Sequence, residues 1–112
     1  MESNRQQKIN RLILKELSEI FLLETKKMPG VLISVTQVNI TPDLSVAHAH
    51  LSFFPSERGN ELIVNINENI KSIRYELGKR VGKQLRIVPN LTFHLDNSLD
   101  YLDKIDKLLS KD

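Results

Sequence analysis

Six cations in one short stretch are the residues best placed to do chemistry in this sequence. Lys71, Arg74, Lys79, Arg80, Lys83 and Arg86 fall within KSIRYELGKRVGKQLRIV, where Glu76 is the only acid. Long basic side chains reach phosphate oxygens, and each such contact is rewarded by counterion release. Lys79, Lys83 and Arg86 stand at i, i+4 and i+7, so on a helix they would share a face, and Lys71 and Arg74 open the same helix one turn apart. Arg5, Lys8, Arg11 and Lys15 repeat at three- and four-residue intervals near the start of the chain. A solvated charged face is the plainer reading of either stripe alone. If the two helices lie side by side, their cations form one patch for a polyanion. The expected RNA-contacting set is Lys71, Arg74, Lys79, Arg80, Lys83 and Arg86, supported by Lys8, Arg11 and Lys15.

Other chemistry is poorly represented. The sequence has no cysteine, no G-x-S-x-G and no H-E-x-x-H, which removes the common nucleophile and zinc-hydrolase patterns. His48 and His50 share a strand face and could ligate a metal with Asp43 or Asp96. Two histidines on an exposed strand are the simpler account. Gly78 and Gly82 sit at i, i+4 inside the basic stretch, not after a strand, so they do not form a phosphate loop. Without Cβ atoms they would admit close packing of another backbone, another helix or a phosphate. Asp100, Asp103 and Asp106 alternate with Lys104 and Lys107, the pattern of a salt-bridged helix surface. The expectation is therefore a protein that is not an enzyme, with no catalytic residue, no cofactor and no metal.

Bulk properties agree with a binding domain. At 112 residues and 40% hydrophobic content the chain is long enough for one packed core. The net charge of +2 is too small to identify a nucleic-acid binder. Its distribution says more, because acids concentrate after Asp96 and bases before it. The polar start, MESNRQQK, lacks a secretory h-region, and no apolar run approaches the roughly 18 residues of a membrane helix. Absence of cysteine fits a reducing compartment, so a cytoplasmic location without membrane attachment is expected.

The elements that must position these residues follow from periodicity. Ile9, Leu12, Ile13, Leu17, Ile20 and Phe21 predict a helix over about 5–27, stopped by Met28-Pro29-Gly30. Residues 31–40 form a β-branched strand whose two halves are out of phase, Ile33 and Val35 against Val38 and Ile40. A bulge near Thr36-Gln37 reconciles them. Thr41-Pro42-Asp43-Leu44 is a turn. In 45–54, Ala47, Ala49, Leu51 and Phe53 face the core, opposite Val46, His48, His50 and Ser52, which predicts an antiparallel hairpin. A second helix from about Glu61 carries Leu62, Ile63, Ile66 and Ile70, and breaks near 69–72, since asparagine is a poor helix interior residue. The third helix carries Ile73, Leu77, Val81 and Leu85 up to Pro89. From there Leu91, Phe93 and Leu95 alternate as a third strand. Ser98 is placed to cap a last helix over 99–109. The order α-β-β-α-α-β describes an α+β two-layer sandwich with helices on one sheet face and the other face partly open. Most aromatic residues fall on core faces, which favours backbone or shape recognition over base stacking.

The hairpin Val35-Thr36-Gln37-Val38 with Thr41-Pro42-Asp43-Leu44-Ser45-Val46-Ala47 resembles the bacterial ribosome-binding factor A family. So does the run Leu85-Arg86-Ile87-Val88-Pro89-Asn90-Leu91-Thr92-Phe93-His94-Leu95-Asp96-Asn97-Ser98, with Ile73-Arg74 and Leu77-Gly78-Lys79 upstream. The resemblance spans nearly the whole chain. It implies a type II KH-like fold and a non-enzymatic assembly factor. Such factors bind immature small ribosomal subunits and assist late processing of small-subunit rRNA, notably in the cold. Relatives usually carry Ala-x-Gly at the interhelical kink, where this chain has Asn69-Ile70-Lys71. It also adds residues around Val81 to Gln84. The resulting expectation is a KH-like RNA-binding domain over 1–98 and a C-terminal helical tail over 99–112 packed on or near it. Its partners would be the small ribosomal subunit and its precursor rRNA, and the free protein would be a monomer. The alternative is a protein–protein adaptor that uses the open sheet face or the tail helix.

Overall fold

The computed structural model describes residues 3–96. Helix α1, Asn4–Thr25, begins with a reciprocal cap. The Gln6 N–H donates to the Ser3 hydroxyl at 3.1 Å, and the Ser3 N–H donates to the Gln6 side-chain oxygen at 2.9 Å. Two otherwise orphaned donors of the first turn are thereby satisfied. The same Gln6 is buried and its amide donates to the Ile40 carbonyl at 3.2 Å, while the Ile40 N–H donates to Asn10 at 2.8 Å. The start of α1 is thus tied to the end of the first strand. Ile9, Ile13, Leu17, Ile20 and Phe21 form its buried stripe. After the helix, Gly30 takes φ +82, a left-handed conformation that glycine adopts without a Cβ penalty.

Strand β1, Leu32–Ile40, pairs antiparallel with β2, Val46–Phe54. The register shifts between Val35 and Gln37, leaving Thr36 as the expected bulge. One extra residue turns the second half over, so Ile33, Val38 and Ile40 all face the core. The turn closes through the Leu44 N–H to the Thr41 carbonyl at 2.8 Å, with Pro42 at the first central position.

Strand β3, Asn90–Leu95, runs parallel to β2 and gives the sheet order β1-β2-β3. A parallel neighbour requires a crossover. It consists of a short 3-10 turn, Ser56–Arg58, then α2, Gly59–Glu68, and α3, Ile70–Val81. The break between the helices falls at Asn69 (φ −110, ψ 21), whose amide donates to the Asn65 carbonyl at 2.8 Å. The observed order α-β-β-α-α-β is the one read from periodicity. The helices cover a single sheet face. Ala47, Ala49, Leu51, Leu91 and Phe93 are buried there with Ile13, Leu17, Phe21, Leu77 and Val81. Phe21 meets Phe93 edge-on with centroids 5.7 Å apart. His48, His50, Ser52, Phe54, Thr92 and His94 occupy the opposite face. The helix expected over 99–109 lies outside the described residues.

One element differs from its expectation. The third helix ends at Val81, well before Leu85 and Pro89. The Gln84 and Leu85 N–H groups both fold back onto the Val81 carbonyl at 2.9 Å. Residues 82–89 then run without helix to β3.

Candidate nucleic-acid interface

Arg74 explains where the chain goes after α3. Its guanidinium donates to the Val88 carbonyl at 2.6 Å and the Pro89 carbonyl at 3.1 Å. Charged donors of this kind are stronger than neutral ones. They hold 82–89 back along the helix that precedes it. Val88 packs against α3 at Gly78, where a Cβ would stand 3.4 Å from a Val88 methyl, in ordinary contact. The close partner of Gly78 is thus this returning segment, not a second helix. Lys83 and Arg86 therefore do not share a helix face with Lys79. The expected i, i+4, i+7 row is broken, because local helix propensity yields to packing of Val88 and Pro89 beneath α3.

Arg80 has an equally internal role. It meets Glu19 at 2.7 Å and Glu16 at 3.3 Å, both on α1. The pair with Glu16 is partly buried, with side chains 28% and 15% exposed. Helices α1 and α3 do lie side by side, as a shared patch requires, and Arg80 is a tie between them. Lys79 is exposed, 3.1 Å from Glu76 and 4.9 Å above the Tyr75 ring. Lys71, Lys83, Arg86, Lys8, Arg11 and Lys15 are also exposed.

The structure brings part of both basic sets together. Lys8 and Arg86 line one groove of about 640 Å³, and Arg5 joins them. Arg5 shares the stripe of Lys8, and that spacing was the signal for it. Three cations are faced by one lining acid, Asp43. Hydrogen bonds from the Thr41 hydroxyl, then from the Ser45 hydroxyl and N–H, hold its carboxyl below the usual carboxylate range. Asp43 is thereby an anionic clasp of the β1–β2 turn, with Oδ1 accepting all of these bonds. Ile87, 79% exposed, stands at the same groove and offers an apolar contact beside the charges. A concave, positively charged surface with an apolar rim suits a phosphate backbone that carries its sugars with it.

The sheet's open face carries a histidine cluster. His48 Nδ1 lies 2.6 Å from the Thr92 hydroxyl and 3.3 Å from His94 Nε2. The His94 ring stacks on His50 with centroids 5.2 Å apart. Among the described residues no group of three or more His, Asp or Glu side chains has the geometry to hold a metal ion. Partial desolvation, then the charges of His50 and His48, pull the His94 pKa below its ordinary value of 6.5. The unfolded chain thus binds a proton at His94 before the folded one does. This contribution to stability is complete above pH 6.5 and is lost as pH falls through the lowered folded value. The urea midpoint should accordingly drop between about pH 7.5 and 5 by more in the parent than in a His94→Asn variant. Equal drops would remove His94 as the source.

Comparison with known proteins identifies relatives throughout this architecture. The family model described as Ribosome-binding factor A matches residues 5–109. A ribosome-binding factor A of Cytophaga hutchinsonii is 47% identical over 112 residues, covering 99% of this chain and 84% of that protein. One from Flavobacterium psychrophilum is 46% identical, covering 98% and 86%. The crystal structure of ribosome-binding factor A from Thermus thermophilus superposes with a TM-score of 0.64 at 21% identity, over 80% of this chain and 94% of that one. A homology model of the Thermus thermophilus factor, fitted into a cryo-EM map of a 30S–RbfA complex, gives 0.61 at 19% identity, over 87% and 97%.

Proposed function

The chain belongs to the ribosome-binding factor A family, and on that premise we propose that it binds the immature small ribosomal subunit through rRNA. It assists late maturation of that RNA by occupancy, without bond chemistry. The observation that carries this reading is the groove where Arg5 and Lys8 from α1 meet Arg86 from the segment after α3. Arg11 and Lys15 continue the charged face of α1, and Lys71, Lys79 and Lys83 add exposed cations on and after α3. Arg74 and Arg80 serve the interface by shaping it, through the returning segment and the α1–α3 contact. A relative of the same fold has been fitted to a 30S complex, which supports the small subunit as partner. The free protein acts as a monomer in the cytoplasm.

Sedimentation of cell extract through sucrose gradients at low and moderate salt tests the proposal. The protein is expected with free small subunits at low salt, absent from translating ribosomes and released as salt rises. Migration only with small soluble proteins would reject it.

A further inference from the structure

We propose that the open face of the sheet is the docking site for this chain's own residues 99–109, seated over Leu32 and Phe54. These two residues are register partners on β1 and β2, so their side chains leave the same sheet face. That face is opposite Ile33 and Phe53, which are buried under the helices. Phe54 is 71% and Leu32 49% exposed, a large apolar pair at one end of a face whose middle carries His48, His50 and Ser52. Strand β3 ends near them, with Leu95 paired to Leu51. The Asp96 N–H donates to the Leu51 carbonyl at 2.7 Å, three residues before Phe54 on β2. The Asp96 carboxylate accepts from the Thr36 hydroxyl of β1 at 2.6 Å. Since neighbouring strands lie about 4.8 Å apart, that bond reaches across the width of β2. The Asp96 side chain thus already reaches over the open face, toward β1.

The residues beyond Ser98 have the chemistry of a matching occupant. On a helix Leu99, Leu102, Ile105 and Leu109 share one side, and Asp100, Asp103 and Lys107 take the other. A helix over 99–109 would be about 16 Å long, enough to cross a three-stranded sheet. Only Asn97 and Ser98 join it to the pinned Asp96. A tether this short gives an effective concentration of about millimolar, which favours this segment over a second copy at micromolar concentration. The proposal is independent of RNA binding, and its test contains no RNA.

The sequence has no cysteine, so introduced thiols report alone. In the full chain, Phe54→Cys combined with Leu102→Cys is expected to close an intramolecular disulfide under mild oxidation. It should form at least about tenfold faster than Phe54→Cys combined with Asp100→Cys, whose second thiol stands on the far side of the helix. Equal rates for the two pairs overturn the proposal. Disulfides that form only between molecules also overturn it and make a second copy the occupant. A single-thiol measurement covers the event that a double variant misfolds. The Phe54→Cys thiol should be alkylated about tenfold more slowly than a Leu22→Cys thiol on exposed α1 surface, and equal rates reject the docked segment.

Discussion

Replacing Lys8 and Arg86 together by glutamine is expected to weaken binding to purified small subunits by about a hundredfold, taking a charge-assisted contact as worth about 1.5 kcal/mol. Both side chains are exposed and line one groove, so the change removes charge without disturbing the core. The salt dependence is the sharper readout. Each lost phosphate contact should flatten the plot of log affinity against log salt by about one unit, so the double variant should lose about two. Arg74→Gln provides the contrast. Its guanidinium is committed to the Val88 and Pro89 carbonyls. That variant should lower the urea midpoint and, because Arg74 itself is spent on those carbonyls, flatten the salt slope by less than the double variant does. A slope unaffected by the Lys8/Arg86 change would refute the groove as the phosphate site.

The second large effect concerns the scaffold. Phe21→Ala should destabilise the fold by about 3–5 kcal/mol, a large part of the about 5–15 kcal/mol typical of a domain. Phe21 is 1% exposed and packs edge-on against Phe93, so truncation opens a cavity between α1 and β3 and removes an aromatic pair. Its neighbour Leu22 is 53% exposed, and Leu22→Ala should stay within about 0.5 kcal/mol. Equilibrium urea unfolding of the two variants compares positions that differ by one residue in sequence and by the whole thickness of the helix in environment. A Phe21→Ala loss as small as that of Leu22→Ala would mean that α1 does not sit on the sheet as described.

How much of this was legible depended on whether the determining contact was local. The bulge at Thr36 was readable because two apolar runs, each regular, were out of step by one residue. The break at Asn69 was readable from asparagine's poor fit to a helix interior. The end of α3 was not. Val81 and Leu85 continue the apolar stripe, and Lys83, Gln84 and Arg86 are good helix formers, so these local signals favour at least five more residues of helix. Gly82 caps it, and the Arg74 clamp on the Val88 and Pro89 carbonyls, a tertiary contact, turns the chain back. The basic surface was legible as charge, but its expected row on a single helix was not its geometry. Arg74 and Arg80 look like their basic neighbours until the carbonyls near Pro89 and the acids Glu16 and Glu19 are placed beside them. Phe54 was read simply as the end of a strand, and its exposure becomes evident only once the register with Leu32 is known.

The parallel pairing of β2 with β3 also sets the order in which the interface comes into being. Ile40 and Ala47 are partners within a hairpin, whereas His48 and Thr92, hydrogen-bonded across β2 and β3, are 44 residues apart in sequence. Local closures are fast, and distant ones wait until enough structure exists to offset the entropy of the intervening loop. The hairpin is thus expected to close early in folding, and the docking of β3, with Arg86 just ahead of it, late. The groove draws Arg5 and Lys8 from one end of the described chain and Arg86 from near the other. A chain still being synthesised, or one whose last strand has come loose, carries nearly all of these cations but not their arrangement. The groove with its cations in place thus exists only in molecules that have finished folding.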